Sequence, residues 1–319
     1  MAVTVLLFVL GLLMLWGGSE AITRSIGVLA RSLGVKELVI TILGVSVLSS
    51  LPELTISGFA VARGEDSISI GNVIGSNFVT LTFVTALCAL IRPIDIHEEV
   101  QSRESSWMIL SSAMVLVLGM DGRFSRSEGV LLILIYLPYV WIVLKTARTD
   151  SETKSVNAPA SSTLRAALFS VLGVFCVIAG SKIALDSGAT LGAALAIPPL
   201  AMGVLLFSFG TSLPELTISL SATFKRKSDV TIGEVYASNI FTQLVVLGVC
   251  CLIRPMTVDP GLIAFAMPFL ILAAVVIQIF VTTERKLSRL EAVGLLGFYA
   301  VFAMSQFRPL PSIEDILGF

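Results

Sequence analysis

The chain has 319 residues, of which 55% are hydrophobic and 13% charged, with a formal net charge of −1 and a mean hydropathy of +0.96. Soluble domains carry about 25% charged residues, so a water-facing coat of ordinary size is missing. That excludes a soluble enzyme, a secreted disulfide scaffold and a disordered chain, and the balance of 21 basic against 22 acidic residues excludes the basic face that nucleic acid demands.

Apolar runs near the roughly 20 residues that cross a bilayer follow one another at 2–32, 37–62, 69–91, 105–120, 126–146, 164–193, 198–224, 231–253, 261–283 and 289–307. They predict an all-α polytopic membrane protein of ten transmembrane helices. The first and sixth runs are long and carry polar positions after an apolar start, which suggests strong tilt or extension into the interface. The fourth run is short and follows a charged stretch, HEEVQSRESS, that holds the single histidine, His97. One histidine in a loop gives no basis for a histidine metal cage or for histidine catalysis. The four cysteines (Cys88, Cys176, Cys250 and Cys251) lie inside apolar runs without a CxxC spacing and read as buried membrane thiols.

The stretch 147–163, ARTDSETKSVNAPASST, is the polar segment at mid-chain and reads as a flexible linker. It divides the chain into a five-helix repeat at 1–146 and a second at 164–319. With the N-terminus outside, 15 of the 21 basic residues fall on the cytoplasmic side, so the positive-inside rule puts both termini outside and the linker in the cytoplasm.

The two halves are copies. Residues 51–57 and 213–219 both read LPELTIS, an offset of 162 positions. At that same offset, without a gap, Gly18-Ser19 meets Gly180-Ser181, Ser46 meets Ser208, Ser76-Asn77 meets Ser238-Asn239 and Arg92-Pro93 meets Arg254-Pro255. The first run belongs to the repeat and is therefore a structural helix. Each half has an odd number of spans, so the second enters the membrane from the opposite face. Such inverted repeats place a substrate site at the midplane, between broken helices.

Polar chemistry gathers at the centre of each repeat. Ser46, Ser49, Ser50 and Glu53 crowd the second run, and Ser208, Thr211, Ser212 and Glu215 crowd the seventh. A carboxylate at the bilayer centre costs at least about 2.5–3.5 kcal/mol on insertion scales. Pro52 and Pro214 each remove a backbone donor and free the carbonyl one turn earlier, at Leu48 and Gly210. Carbonyls, hydroxyls and carboxylates are hard oxygen ligands that suit Ca²⁺ and Na⁺, and no soft ligand for zinc or copper accompanies them. The third and eighth runs supply a facing wall: Ser76, Asn77 and Thr80, and Ser238, Asn239 and Thr242. In each set the first and last residues share a helix face. Glu234, which replaces Asn72 of the first repeat, stands at the cytoplasmic start of the eighth run, where the helix dipole favours an acid; a role in ion entry is the alternative. The two central glutamates have no intramembrane Lys or Arg nearby in sequence, so a cation from outside is their natural partner.

At these residues the chain resembles the calcium/cation antiporter superfamily, and within it the prokaryotic sodium/calcium exchangers. Residues 210–215 (GTSLPE) and 71–77 (GNVIGSN) match the two signature motifs as they stand. The resemblance implies Glu53 and Glu215 as central Ca²⁺ ligands, with Ser50, Ser76, Ser212, Thr211 and Ser238 as oxygen ligands for Ca²⁺ or Na⁺. It also implies that the first and sixth helices slide as a pair against the other eight. The chain departs from the pattern at Thr80 and Thr242, where such exchangers carry Asn or Asp, so one site charge is missing there.

The expected function is exchange of Ca²⁺ for Na⁺ across the cytoplasmic membrane of a prokaryote, with membrane lipid as surroundings and neither an organic cofactor, an obligatory protein partner nor an enzymatic activity. Proton-coupled antiport of Ca²⁺ or another divalent cation, and a passive cation channel, are the alternatives that the residues leave open.

Overall fold

A computed structural model of the chain describes residues 1–32, 44–95, 98–149, 160–284 and 286–307. His97 and most of the linker lie outside the described residues. Helix α1 covers Ala2–Ser32. The next apolar run is broken: α2a covers Val45–Ser49 and α2b Leu51–Arg63. Helix α3 covers Asp66–Ile91, α4 Glu98–Gly119, α5 Arg126–Thr149 and α6 Ala160–Leu195. A second broken element follows, with α7a at Pro199–Thr211 and α7b at Leu213–Phe224, bent by 45°. Helix α8 spans 228–253, α9 262–284 and α10 Arg289–Ser305.

The breaks are where proline places them. Pro52 and Pro214 sit in the first turn of α2b and α7b, where a missing N–H costs nothing. The residue before each new helix leaves the helical well in the same way: Ser50 has φ −84° and ψ 9°, and Ser212 has φ −80° and ψ 6°. The freed Leu48 carbonyl accepts a hydrogen bond from Ser19 Oγ of α1 at 3.1 Å.

Six helices are long and apolar enough to cross a membrane among the described residues, or seven if α7a and α7b form one span. Helix α4 differs from the short run expected at 105–120. It begins at Glu98, within the charged stretch, where Arg103 Nη2 and Tyr139 Oη both donate to the Glu104 carboxylate, at 2.6 and 2.7 Å. Of the expected linker, 147–149 extend α5 and 160–163 open α6.

Burial sorts the helices into layers. In α3 and α8, 78% of the central window is buried, against 28% in α1 and 33% in α6. The first two therefore form the centre and the last two lie at the outside. The outward faces of α1 and α6 are apolar, with Leu6, Leu13, Val171 and Phe175 exposed, a surface suited to lipid. Inwardly the two helices touch each other backbone to backbone. A Cβ on Gly18 would lie 2.6 Å from the Gly173 carbonyl oxygen, and one on Gly180 would lie 2.8 Å from that of Gly11. Only glycine permits that approach.

Contacts come in reciprocal pairs, as an exchange of the two halves requires. Strand β1 (Ile94–Asp95) pairs antiparallel with β4 (Lys286–Leu287), and β2 (Arg123–Phe124) with β3 (Met256–Thr257). Ile94 faces Leu287, and Met256, the counterpart of Ile94, faces Phe124, one residue before the counterpart of Leu287. Matched π-helical turns follow the Ser-Asn pairs, at Val79–Val84 in α3 and Thr242–Val246 in α8. Of the cysteines, Cys88, Cys250 and Cys251 are buried and Cys176 half-buried, all as free thiols.

Candidate functional site

The two helix breaks bring α2 and α7 together at the centre of the molecule. Glu53 and Glu215 occupy the first turn of α2b and α7b, and each is 1% exposed. Neither oxygen of Glu53 has a hydrogen-bond partner, and Glu215 Oε2 has none either. Glu215 Oε1 receives only a long bond from Ser50 Oγ, at 3.4 Å. The ion pairs among the described residues include neither glutamate. Buried carboxylates are ordinarily paired or hydrogen-bonded. Among the described residues neither has a positive partner.

Hydroxyls ring the pair. Ser50 Oγ donates to the Ser46 carbonyl at 2.9 Å, and Ser212 Oγ is buried without a partner. Ser208 Oγ donates to the Val204 carbonyl, and Thr211 Oγ1 to Asn72 Oδ1 at 3.2 Å. Ser76 and Ser238 bond back to carbonyls of their own helices, Val73 at 3.0 Å and Val235 at 3.2 Å. All of these side chains are buried, and every one can turn an oxygen toward a cation by rotating about a single bond.

Four of the remaining six expected residues are brought against one another. Asn77 Nδ2 donates to Thr242 Oγ1 at 2.8 Å, and Thr80 Oγ1 donates to Asn239 Oδ1 at 2.6 Å. This cross-connection joins α3 to α8 with the same exchange of halves seen in the strands. Gln243, absent from the sequence-based set, extends it through a 2.8 Å bond from Nε2 to Asn77 Oδ1.

Glu234 overturns its sequence reading. It stands seven residues into α8, is 5% exposed, and accepts from Ser46 Oγ and Ser49 Oγ of the opposite half, each at 2.8 Å. The favour of a helix dipole is confined to the first turn, so the dipole does not explain an acid there. Ser46 and Ser49, expected beside the central pair, are directed to Glu234. The residue that this reading missed had a local signal: Glu234 and Ser238 are four residues apart and share a helix face. Asn72 was missed for the same reason. Glu234 is tied to the central pair through adjacent residues of α2: Ser49 Oγ donates to Glu234 and Ser50 Oγ to Glu215. Even so, no three His, Cys, Asp or Glu converge to hold a metal among the described residues.

Apolar helices enclosing unpaired carboxylates and hydroxyls define a membrane transporter of cations. Comparison with known proteins gives the family. The family model described as "Sodium/calcium exchanger protein" matches residues 3–145 and 165–308. The inner membrane protein YrbG of Escherichia coli (strain K12) is 31% identical over 264 residues, covering 80% of this chain and 81% of its own. The sodium/calcium exchanger MaX1 of Methanosarcina acetivorans is 27% identical over 345 residues, covering 96% of this chain and 99% of its own. Among solved structures, the sodium-calcium exchanger NCX_Mj soaked with 2.5 mM Na⁺ and 10 mM Sr²⁺ matches with a TM-score of 0.71. It is 28% identical, over 96% of this chain and 99% of that one. The chain belongs to the sodium/calcium exchanger family and is a multi-pass membrane protein.

Proposed function

We propose that the chain is a secondary antiporter that exchanges Ca²⁺ for Na⁺ across the cytoplasmic membrane by alternating access. The carrying observation is the pair Glu53 and Glu215: two buried glutamates, one from each half, with three of four carboxylate oxygens lacking a hydrogen-bond partner. Two carboxylates neutralise one Ca²⁺, or hold Na⁺ ions with help from Ser50, Ser212, Thr211, Ser76 and Ser238. Both ions are hard cations that take oxygen ligands, so competition for the same oxygens couples the two fluxes without covalent chemistry.

In this reading the chain crosses the membrane ten times as two inverted five-helix halves, 1–146 and 164–319. Both termini are outside, the segment 147–163 is cytoplasmic, and the ions sit at the midplane. The helices α2, α4 and α10 complete the ten spans. The broken helices meet there, which is where transporters of inverted-repeat design bind their ions. The glycine contact between α1 and α6 supports their movement as one body. The names of MaX1 and NCX_Mj as sodium/calcium exchangers support Na⁺ as the coupling ion.

The test is ion flux in proteoliposomes with separately imposed gradients. Vesicles loaded with Na⁺ take up Ca²⁺ on dilution into Na⁺-free buffer, and uptake stops when the Na⁺ gradient is removed. Uptake driven by a pH gradient alone replaces Na⁺ by H⁺ in this reading. Uptake that needs no counter-ion, with single-channel currents, overturns it.

A further inference from the structure

The two ends of the site differ by one charge. At the Ser208–Thr211 end, Thr211 Oγ1 meets the amide of Asn72, whose Nδ2 donates to Ser57 Oγ at 3.0 Å. At the matched Ser46–Ser49 end the same backbone position carries the carboxylate of Glu234, and both its oxygens accept hydroxyls. Packing asks only for a buried hydroxyl acceptor at this position, and Asn72 meets that demand with an amide oxygen. The charge of Glu234 therefore exceeds what packing requires. It is also uncompensated, since the ion pairs among the described residues leave it out. Ser50, the neighbour of Ser49, donates to Glu215, which is 1% exposed and has an oxygen with no partner, Oε2.

We propose that Glu234 supplies a third negative charge to the ion site, fixed at its Ser46–Ser49 end, which favours divalent over monovalent cations there. The proposal rests on the exchange reading above and adds a selectivity determinant to it. Glu234 acts at a distance: its two oxygens are held by Ser46 and Ser49, and it does not converge with Glu53 and Glu215 on one point. A fixed charge in a low-dielectric interior attracts a cation in proportion to the charge of that cation. Its attraction for Ca²⁺ is thus twice its attraction for Na⁺ in free energy. Removing it multiplies the Ca²⁺ dissociation constant by the square of the factor that it applies to each Na⁺. Loss of a merely structural contact weakens both ions by one common factor.

The measurement is equilibrium binding of ⁴⁵Ca²⁺ to the purified full-length protein, with Na⁺ as competitor, for wild type, Glu234→Gln and Glu234→Asp. In Glu234→Gln the Ca²⁺ dissociation constant is expected to rise about tenfold and the half-saturating Na⁺ about threefold, the square-root relation that Coulomb's law sets. Glu234→Asp keeps the charge and stays within about twofold of wild type for both ions. Equal factors for the two ions, no change in either, or a loss in Glu234→Asp as large as in Glu234→Gln overturns the proposal. Should Glu234→Gln not be recovered as a monodisperse protein, Glu234→Asn takes its place, because Asn is what the fold already holds at the matched position 72. Glu53→Gln serves as the control: if it binds Ca²⁺ as wild type does, the exchange site itself is misplaced, which is a different failure.

Discussion

Glu53 is 1% exposed and neither of its carboxylate oxygens is hydrogen-bonded, so without an ion it is a burden on the fold. Insertion scales put a charged group at mid-membrane at about 2.5–3.5 kcal/mol, a figure that already includes whatever relief the group finds. Glu53→Gln removes that charge but leaves a buried amide, itself costing about 1–3 kcal/mol when unsatisfied. The net expectation is that the variant is more stable than wild type by about 1–2 kcal/mol in chelator. At about 2 °C per kcal/mol for a chain of this size, its midpoint rises by about 2–4 °C. Calcium reverses the order. At about 100 times its dissociation constant, Ca²⁺ stabilises the wild type by about 2.7 kcal/mol, and the variant gains nothing. The assay is thermal unfolding of detergent-solubilised protein, followed by intrinsic fluorescence in EDTA and again across a Ca²⁺ series. A variant that melts below wild type in EDTA and still gains stability with Ca²⁺ refutes the reasoning at both ends. It would mean that Glu53 is a structural acceptor and that the ion sits elsewhere.

Thr242→Asp introduces a carboxylate where Thr242 Oγ1 now accepts from Asn77 and donates to the Asn239 carbonyl at 3.0 Å. It should tighten Ca²⁺ binding while lowering ion-free stability by about 2–3 kcal/mol, and an unchanged Ca²⁺ affinity removes Thr242 from the groups that the ion senses. Gly18→Ala places a Cβ 2.6 Å from the Gly173 carbonyl; the backbone cannot yield cheaply, so about 1–3 kcal/mol is lost and transport slows, unless unfolding and flux both match wild type. Arg63 and Asp186 form an ion pair that ties α2b to α6, with side chains 34% and 52% exposed. Arg63→Gln should shift stability by less than about 1 kcal/mol and raise turnover at constant Ca²⁺ affinity, whereas a change in binding affinity with turnover fixed argues against a bond that breaks during the cycle.

Much of this architecture was legible because one offset carries it. The duplicated LPELTIS fixes the two proline breaks, the glutamates after them and the counterparts of the polar residues around them. Helix boundaries inside the charged stretch before α4 were not legible, because one of the two partners of Glu104 is Tyr139, 35 residues away. Glu234 shows the same limit more sharply. Its partners Ser46 and Ser49 lie 188 and 185 residues earlier, and its nearness to the start of the eighth run suggested a dipole role that its place beyond the first turn of α8 contradicts. The helical spacing to Ser238 was available, but spacing states which residues share a face and leaves open what that face meets. The cross-connection of Asn77, Thr80, Asn239 and Thr242 has the same origin. Each residue read singly is a polar side chain facing inward, and only the packing of α3 on α8 makes partners of them.

The polar atoms at the centre divide by what satisfies them, and the division follows the helices. On α3 and α8 the amides and hydroxyls satisfy one another across the interface, with Gln243 adding a further bond to Asn77. Buried networks of this kind resist rearrangement, because each broken bond leaves a polar group unpaired in a low dielectric. On α2 and α7 the carboxylates of Glu53 and Glu215 remain largely unsatisfied, and the backbone is already interrupted at Ser50 and Ser212. These broken helices are also what α1 and α6 hold: Ser19 caps the Leu48 carbonyl, Trp16 Nε1 donates to Thr217 at 2.9 Å, and Ser181 meets Thr55 at 2.5 Å. A cation that settles on the glutamates therefore acts on the part of the core with the fewest competing bonds, and that part is the one joined to the outer pair of helices. Binding energy delivered to Asn77, Thr80, Asn239 and Thr242 would meet side chains that are already bonded to one another.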